Sequence, residues 1–78
     1  MSQAKPGIYY HFKDSGKLYE VLGVAKHTER EEEKLVIYRA LYGEHKLFAR
    51  PEKMFLEMVD KPEYNYRGLR FVWVKESK

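Results

Sequence analysis

Three side chains suited to an anionic or aromatic ligand alternate near the start of the chain, as Tyr9-x-His11-x-Lys13. Strand spacing turns such a triplet to one face, opposite Ile8, Tyr10 and Phe12, which make the apolar set expected in the core. Bases stack on tyrosine and histidine rings while lysine and arginine meet phosphates, so the triplet points to single-stranded nucleic acid if neighbouring strands extend it. Tyr19, Tyr38, Tyr42 and Arg50 are the residues expected to do so. The simpler alternative is that tyrosines tile the outer face of a thin sheet and pair across strands without any ligand. Arg50, just ahead of Pro51, either points at a ligand or satisfies carbonyls of a tight turn, and the structural role is the expected one.

Other chemistries find less support. His11, His27 and Glu29 would make a metal-binding set if a hairpin brought them together, but no helical histidine pair or HExxH motif accompanies them, and no metal or other cofactor is expected. Apart from tyrosines, the hydroxyl nucleophiles are Ser2, Ser15, Thr28 and Ser77, none in a Gly-x-Ser-x-Gly setting, and no glycine-rich phosphate loop is present. The chain contains no cysteine, which excludes disulfides, thiolate metal sites and thiol nucleophiles. A non-enzymatic binding module is therefore expected.

Whatever site exists must sit on one small body, since 78 residues and 9.4 kDa suffice for a single domain, expected over residues 6–75 with flexible termini at 1–5 and 76–78. Area scaling gives about 5,000 Å² of surface for a folded monomer of this mass, enough burial for a modest core. A hydrophobic fraction of 44% and an aromatic fraction of 15% argue against disorder. The net charge of +3, from 15 basic and 12 acidic side chains, permits attraction to polyanions without requiring it. No apolar run approaches the roughly 18 residues of a membrane span, and no leader-like segment opens the chain, so a cytoplasmic protein is expected, not a membrane one.

The elements read mostly as strands. Residues 8–13 and 18–26 form a hairpin across Asp14-Ser15-Gly16-Lys17, with Gly23 marking a bulge or bend in the second strand. Lys34 to Tyr42 is the strongest strand, apolar on both faces and hence internal. A turn through Gly43 to Lys46 leads to a short strand at Leu47 to Arg50, where Pro51 stops it and opens a helical turn. Pro51 to Val59 reads either as one amphipathic helix of two turns or, the favoured reading, as a turn leading into a strand through Phe55, Glu57 and Val59; a polar surface loop from Asp60 to Gly68 follows, and a last strand from Leu69 to Val74 places Leu69, Phe71 and Trp73 together. Phe48, Phe55, Phe71 and Trp73 are read as core aromatics. Five or six short strands with one helical turn near Pro51 suggest an all-β fold, a small antiparallel SH3-like barrel.

The spacing of Tyr9-x-His11-x-Lys13, Leu18-Tyr19-x-Val21-x-Gly23-x-Ala25-x-His27-Thr28-Glu29, Val36-x-Tyr38-x-x-Leu41-Tyr42, Arg50-Pro51-x-x-Met54-Phe55 and Arg70-Phe71 resembles the bacterial domain-of-unknown-function family numbered 1653. The match runs from about Gly7 to Val74. Phe48 stands where that family typically has tryptophan, and Arg30 to Lys34 is one residue longer than usual, so either Glu32 or Glu33 corresponds to the family's glutamate. The resemblance implies a small, mostly β bacterial domain and carries no activity with it. It adds His27, Glu29 and Arg70 to the polar and aromatic signature positions.

The acidic run Glu29, Glu31, Glu32 and Glu33 reads as solvated loop charge that repels a polyanion locally, leaving the side of Lys13, Lys17, Lys26 and Arg50. The functional expectation is an aromatic and basic binding face made of Tyr9, His11, Lys13, Tyr19, Tyr38, Tyr42 and Arg50, with single-stranded nucleic acid as partner. The alternative is a protein or peptide partner added to an exposed strand edge.

Overall fold

The structure, a computed structural model, describes residues 4–77. The strands run in chain order β1 (Gly7–His11), β2 (Asp14–Lys26), β3 (Lys34–Ala40), β4 (Leu47–Pro51), β5 (Met58–Lys61), β6 (Tyr66–Leu69) and β7 (Phe71–Lys75), with a single helical turn, α1 (Glu52–Phe55), between β4 and β5. All pairings are antiparallel, in a five-stranded sheet of order β4-β3-β2-β1-β7 and a two-stranded sheet of β5 and β6. No closed barrel is found among the described residues: β4 and β7 are the two edges of the larger sheet. The accessible surface of 5787 Å² exceeds the compact-monomer figure because the body is elongated, 37 × 26 × 21 Å.

Period-two alternation explains β3, where Val36, Tyr38 and Ala40 are buried while Leu35, Ile37 and Arg39 are half-buried on the other face. The register then carries one face across the sheet. Tyr9 lies opposite Tyr19 and Trp73, His11 opposite Phe71, Val21 opposite Tyr38, and Tyr38 opposite Phe48. The ladder shifts between Val21 and Gly23, which is the bulge expected at that glycine, and again at Ile8/Tyr9 and Tyr10/His11. On this face Tyr9, Val21, Val36, Tyr38, Phe55 and Phe71 form the core together with Ala4.

The expected polarity of β1 fails at Tyr9. Tyr9 is only 7% exposed and packs edge-on against Phe55 and Trp73, at 5.2 and 5.4 Å between centroids. Its hydroxyl donates to the Lys5 carbonyl at 2.9 Å, so the ring is buried without stranding its polar end, and burial raises the hydroxyl's pKa. Ile8 is also buried but outside the main cluster, and Phe12 stacks on Tyr66 at 5.0 Å beneath the second sheet. Alternation misled here because β1 is covered on both sides and both its neighbours bulge against it.

Three further expectations change. Phe55 ends α1 instead of lying in a strand, and at 1% exposure it plugs the core, with β5 starting only at Met58. The segment read as a polar loop is a hairpin, in which β5 and β6 flank a 3-10 turn at Pro62–Tyr64 and Asn65 takes the left-handed φ of 52° that reverses the chain. Charged residues suit it because this small sheet is largely exposed. The last strand is broken at Arg70, so Phe71 enters the core while Leu69 belongs to β6 and is exposed.

Of the expected flexible ends, residues 1–3 and 78 lie outside the described residues, but Ala4 is buried and its N–H donates to the Glu52 carboxylate at 3.2 Å. Lys5 sits over the Trp73 ring at 4.2 Å, so packing begins ahead of residue 6.

Candidate functional site

Phe71 is the centre of an aromatic array. Phe55 stacks on it at 4.3 Å, and His11, Tyr19 and Tyr38 meet it at 5.0, 5.8 and 5.6 Å. The Arg50 guanidinium lies over the same ring at 5.4 Å and its Nε donates to the Tyr38 hydroxyl at 3.3 Å. No turn carbonyl accepts from Arg50 among the described residues, so it serves the aromatic face and not the turn at Pro51. Tyr19 and Tyr42 share a hydroxyl–hydroxyl hydrogen bond of 2.5 Å, and burial, followed by that bond, pushes the Tyr19 pKa well up.

His11 occupies the seam between this array and the solvent. Its Nδ1 accepts from the Lys13 N–H at 3.2 Å, which places the proton of the neutral ring on Nε2. Burial holds its pKa below the ordinary value, and the charges of Arg50, Arg70 and Lys13 lower it further. Arg70, in the break between β6 and β7, donates from Nη2 to the Glu57 carboxylate at 3.0 Å, yet its Nε is buried with no partner. Arg50 makes no ion pair among the described residues. The half-buried base of this face is therefore rich in donors.

Toward the solvent the face becomes a platform. Phe48, 42% exposed, stacks on Tyr38 at 5.5 Å, and a depression of about 210 Å³ lies between Phe48 and Tyr42, lined also by Ala40, Glu44 and Lys46. Lys17 stands over the Tyr42 ring at 5.2 Å and Lys13 over Tyr64 at 5.6 Å. Two turns border these groups. The first hairpin turns at Phe12 and Lys13 and not at Asp14 to Lys17 as expected, since those four residues open β2, where Asp14 accepts from the Gly16 N–H at 3.0 Å; in the turn between β3 and β4, His45 takes a left-handed φ of 55°.

The structure brings His11, Tyr19, Tyr42 and Arg50 to one face, buries Tyr9 and Tyr38 beneath it and leaves Lys13 exposed at its rim. Lys26 stands at the far end of β2, beside the acidic loop, and is not part of it. His27 is there too, at the opposite end of β2 from His11, where its Nδ1 accepts from the Glu29 and Arg30 N–H groups at 3.1 and 3.2 Å. It shapes the loop, and no cluster able to hold a metal ion occurs among the described residues. A larger depression of about 670 Å³, between that loop and α1, is lined by charges of both signs, Arg30, Glu32, Glu33, Lys34, Glu52 and Lys53.

Sequence reasoning passed over Phe48, Arg70 and Phe71 as site residues. Phe48 was legible, because it precedes Arg50 by two positions on a strand and so shares its face. Arg70 carried a signal only through the family pattern.

These features define a mostly β domain with an aromatic face and recessed cationic side chains. The chain belongs to a family described as a protein of unknown function, DUF1653, whose model matches residues 7–73. It is similar in structure to a DUF1653 protein from Bordetella bronchiseptica, solved by crystallography, with a TM-score of 0.79 and 28% identity over 96% of this chain and 92% of that one. Comparison with curated proteins finds no match. No helix among the described residues is long and apolar enough to cross a membrane.

Proposed function

We propose that this domain is a non-enzymatic binding module for single-stranded nucleic acid, which it takes on the face of Tyr19, Tyr42, Phe48 and Arg50, backed by the buried Tyr38. The observation that carries this reading is the pairing of the exposed Phe48 ring with the neighbouring depression beside Tyr42, in reach of Lys46 and Lys17. A volume of about 210 Å³ is too small for a drug-sized ligand and suits a single flat ring. Aromatic stacking accepts any base, while lysines and arginines around it follow the phosphates. The SH3-like description of the fold belongs to the same proposal: bulges curl the five-stranded sheet around the Phe55–Phe71 pair, and the β5–β6 hairpin approaches β1 through Phe12 and Tyr66.

An amide-shift titration with short single-stranded RNA and DNA, at low and at higher salt, tests it. Shifts confined to residues 17–19, 40–50 and 71 that fade with salt are expected. Absence of clustered shifts retires the reading. A second reading, addition of a peptide strand to an edge, is favoured by β4, an edge strand with Leu47 58% exposed beside Phe48. It predicts backbone shifts along β4 with a protein partner and none with oligonucleotides.

A further inference from the structure

The recessed donors behind the stacking platform have no assigned role. Arg70 Nε is buried without a partner, a state that costs free energy unless another group completes it. Arg50 has its Nε engaged by Tyr38 and its guanidinium held over Phe71. His11, against the edge of that same ring, accepts through Nδ1 and so presents Nε2–H as a donor. The Phe71 ring meets His11 edge-on and lies under Arg50, and Arg70 is its neighbour in the chain, so the three donors lie around one residue.

We propose that His11, Arg50 and Arg70 form a receptor for one phosphate group. Two guanidinium forks and an imidazole N–H offer donors only, which matches an oxyanion and does not match a cation or a neutral carbonyl. Glu57 is the acidic group against Arg70 and engages Nη2, leaving Nε, which an oxygen reaches by a shift of the Arg70 side chain, as the donor without an acceptor. Arg50 lies two residues beyond Phe48 on β4, roughly 7 Å along the strand, so a nucleotide whose base stacks on Phe48 places a phosphate near the receptor. This deepens the nucleic-acid reading and rests on it for the source of the phosphate, but the receptor itself is defined by its donors.

The test follows the Nε–Hε signals of Arg50 and Arg70 and the ring signals of His11 as inorganic phosphate is added to the labelled protein, with chloride at matched ionic strength as reference. Saturable shifts of both arginine signals with phosphate alone are expected, with a rise in the His11 pKa as the anion offsets the Arg50 and Arg70 charges. Charges that also bear on this histidine are Lys13 on its own strand, Asp14 opposite it in β2, and Glu57 through Arg70. Arg50→Gln should weaken phosphate roughly tenfold, about the loss of one charge-assisted hydrogen bond. Arg50→Lys, which keeps charge but not the fork, should recover little of it. Identical responses to phosphate and chloride, or a full response in Arg50→Gln, overturn the receptor. A phosphate response without oligonucleotide binding keeps the receptor and removes the nucleic-acid reading. Oligonucleotide binding that leaves Arg70 and His11 silent does the reverse.

Discussion

Phe71 stacks on Phe55 with ring planes 9° apart, and this pair joins the helical turn after β4 to the first residue of β7. Phe55 is the largest fully buried side chain and reaches Tyr9, Tyr38 and Phe71. Phe55→Ala should therefore cost about 3–5 kcal/mol of stability, the range for deleting a buried aromatic ring. Denaturant unfolding checks it, and because Phe71 also supports Arg50 and His11, residual folded protein should bind ligand less well.

Phe48 makes the contrasting case. Its ring stacks on Tyr38 but remains substantially exposed, so Phe48→Ala should change stability by less than about 1 kcal/mol. Oligonucleotide affinity should fall by about 1–3 kcal/mol, the usual value of one stacked base, with the salt slope preserved. Equal unfolding midpoints with unequal dissociation constants would separate a binding role from a packing one.

Lys17 should show the opposite signature. It lies over Tyr42 at the rim and carries charge without shape. Lys17→Ala should reduce the slope of log affinity against log salt by about 0.7, the value for one phosphate on a single strand. Titrations at several salt concentrations measure this directly, and an unchanged slope would move the phosphate path away from the start of β2.

The legible part of the fold was the part written in short-range terms. Lys34 to Tyr42 announced an internal strand by being apolar on both faces, Gly23 a bulge or bend, and Pro51 a strand end followed by a helical turn. What escaped depended on partners distant in sequence. Tyr9 faces the core because Phe55 and Trp73 cover it and because Lys5 satisfies its hydroxyl, and none of these is visible in the Tyr9-x-His11-x-Lys13 spacing. The β5–β6 hairpin lacks an apolar stripe and so resembled a loop, while Arg70 gained its importance from a break in pairing that no residue type marks. The spacing grouped His11, Tyr19, Tyr42 and Arg50, which the structure does bring to one face, but it placed Tyr9 and Tyr38 at a surface where both are buried.

His11 links pH to stability. Its folded pKa lies below the unfolded value of about 6.5, so the unfolded chain takes up the proton first as pH falls. The sign follows: His11 leaves stability at its full value above that pH and erodes it progressively below, down to the folded pKa. Arg50, Arg70 and Lys13 add to the effect of burial, while Asp14 lies opposite His11 in β2 and Glu57 pairs with Arg70. Urea midpoints measured from pH 7.5 to 5 should decline in the wild type and decline less in His11→Gln. A variant as acid-sensitive as the wild type would assign the dependence to other groups.

Gly7 provides the last check, on the packing that buries Tyr9. A side chain there would overlap the six-membered ring of Trp73, with Cη2 only 2.6 Å from the position of a Cβ, and the Lys75 carbonyl is 3.0 Å away. The backbone φ of 157° also falls where residues other than glycine are rarely found. Gly7→Ala should then destabilise by about 1–3 kcal/mol through overpacking, and Trp73 fluorescence should report a displaced indole. Trp73→Phe in the same background removes the ring that meets the added methyl, so partial recovery of stability is expected. Without recovery, the cost resides in the backbone conformation, and the Trp73 contact does not set the requirement for glycine.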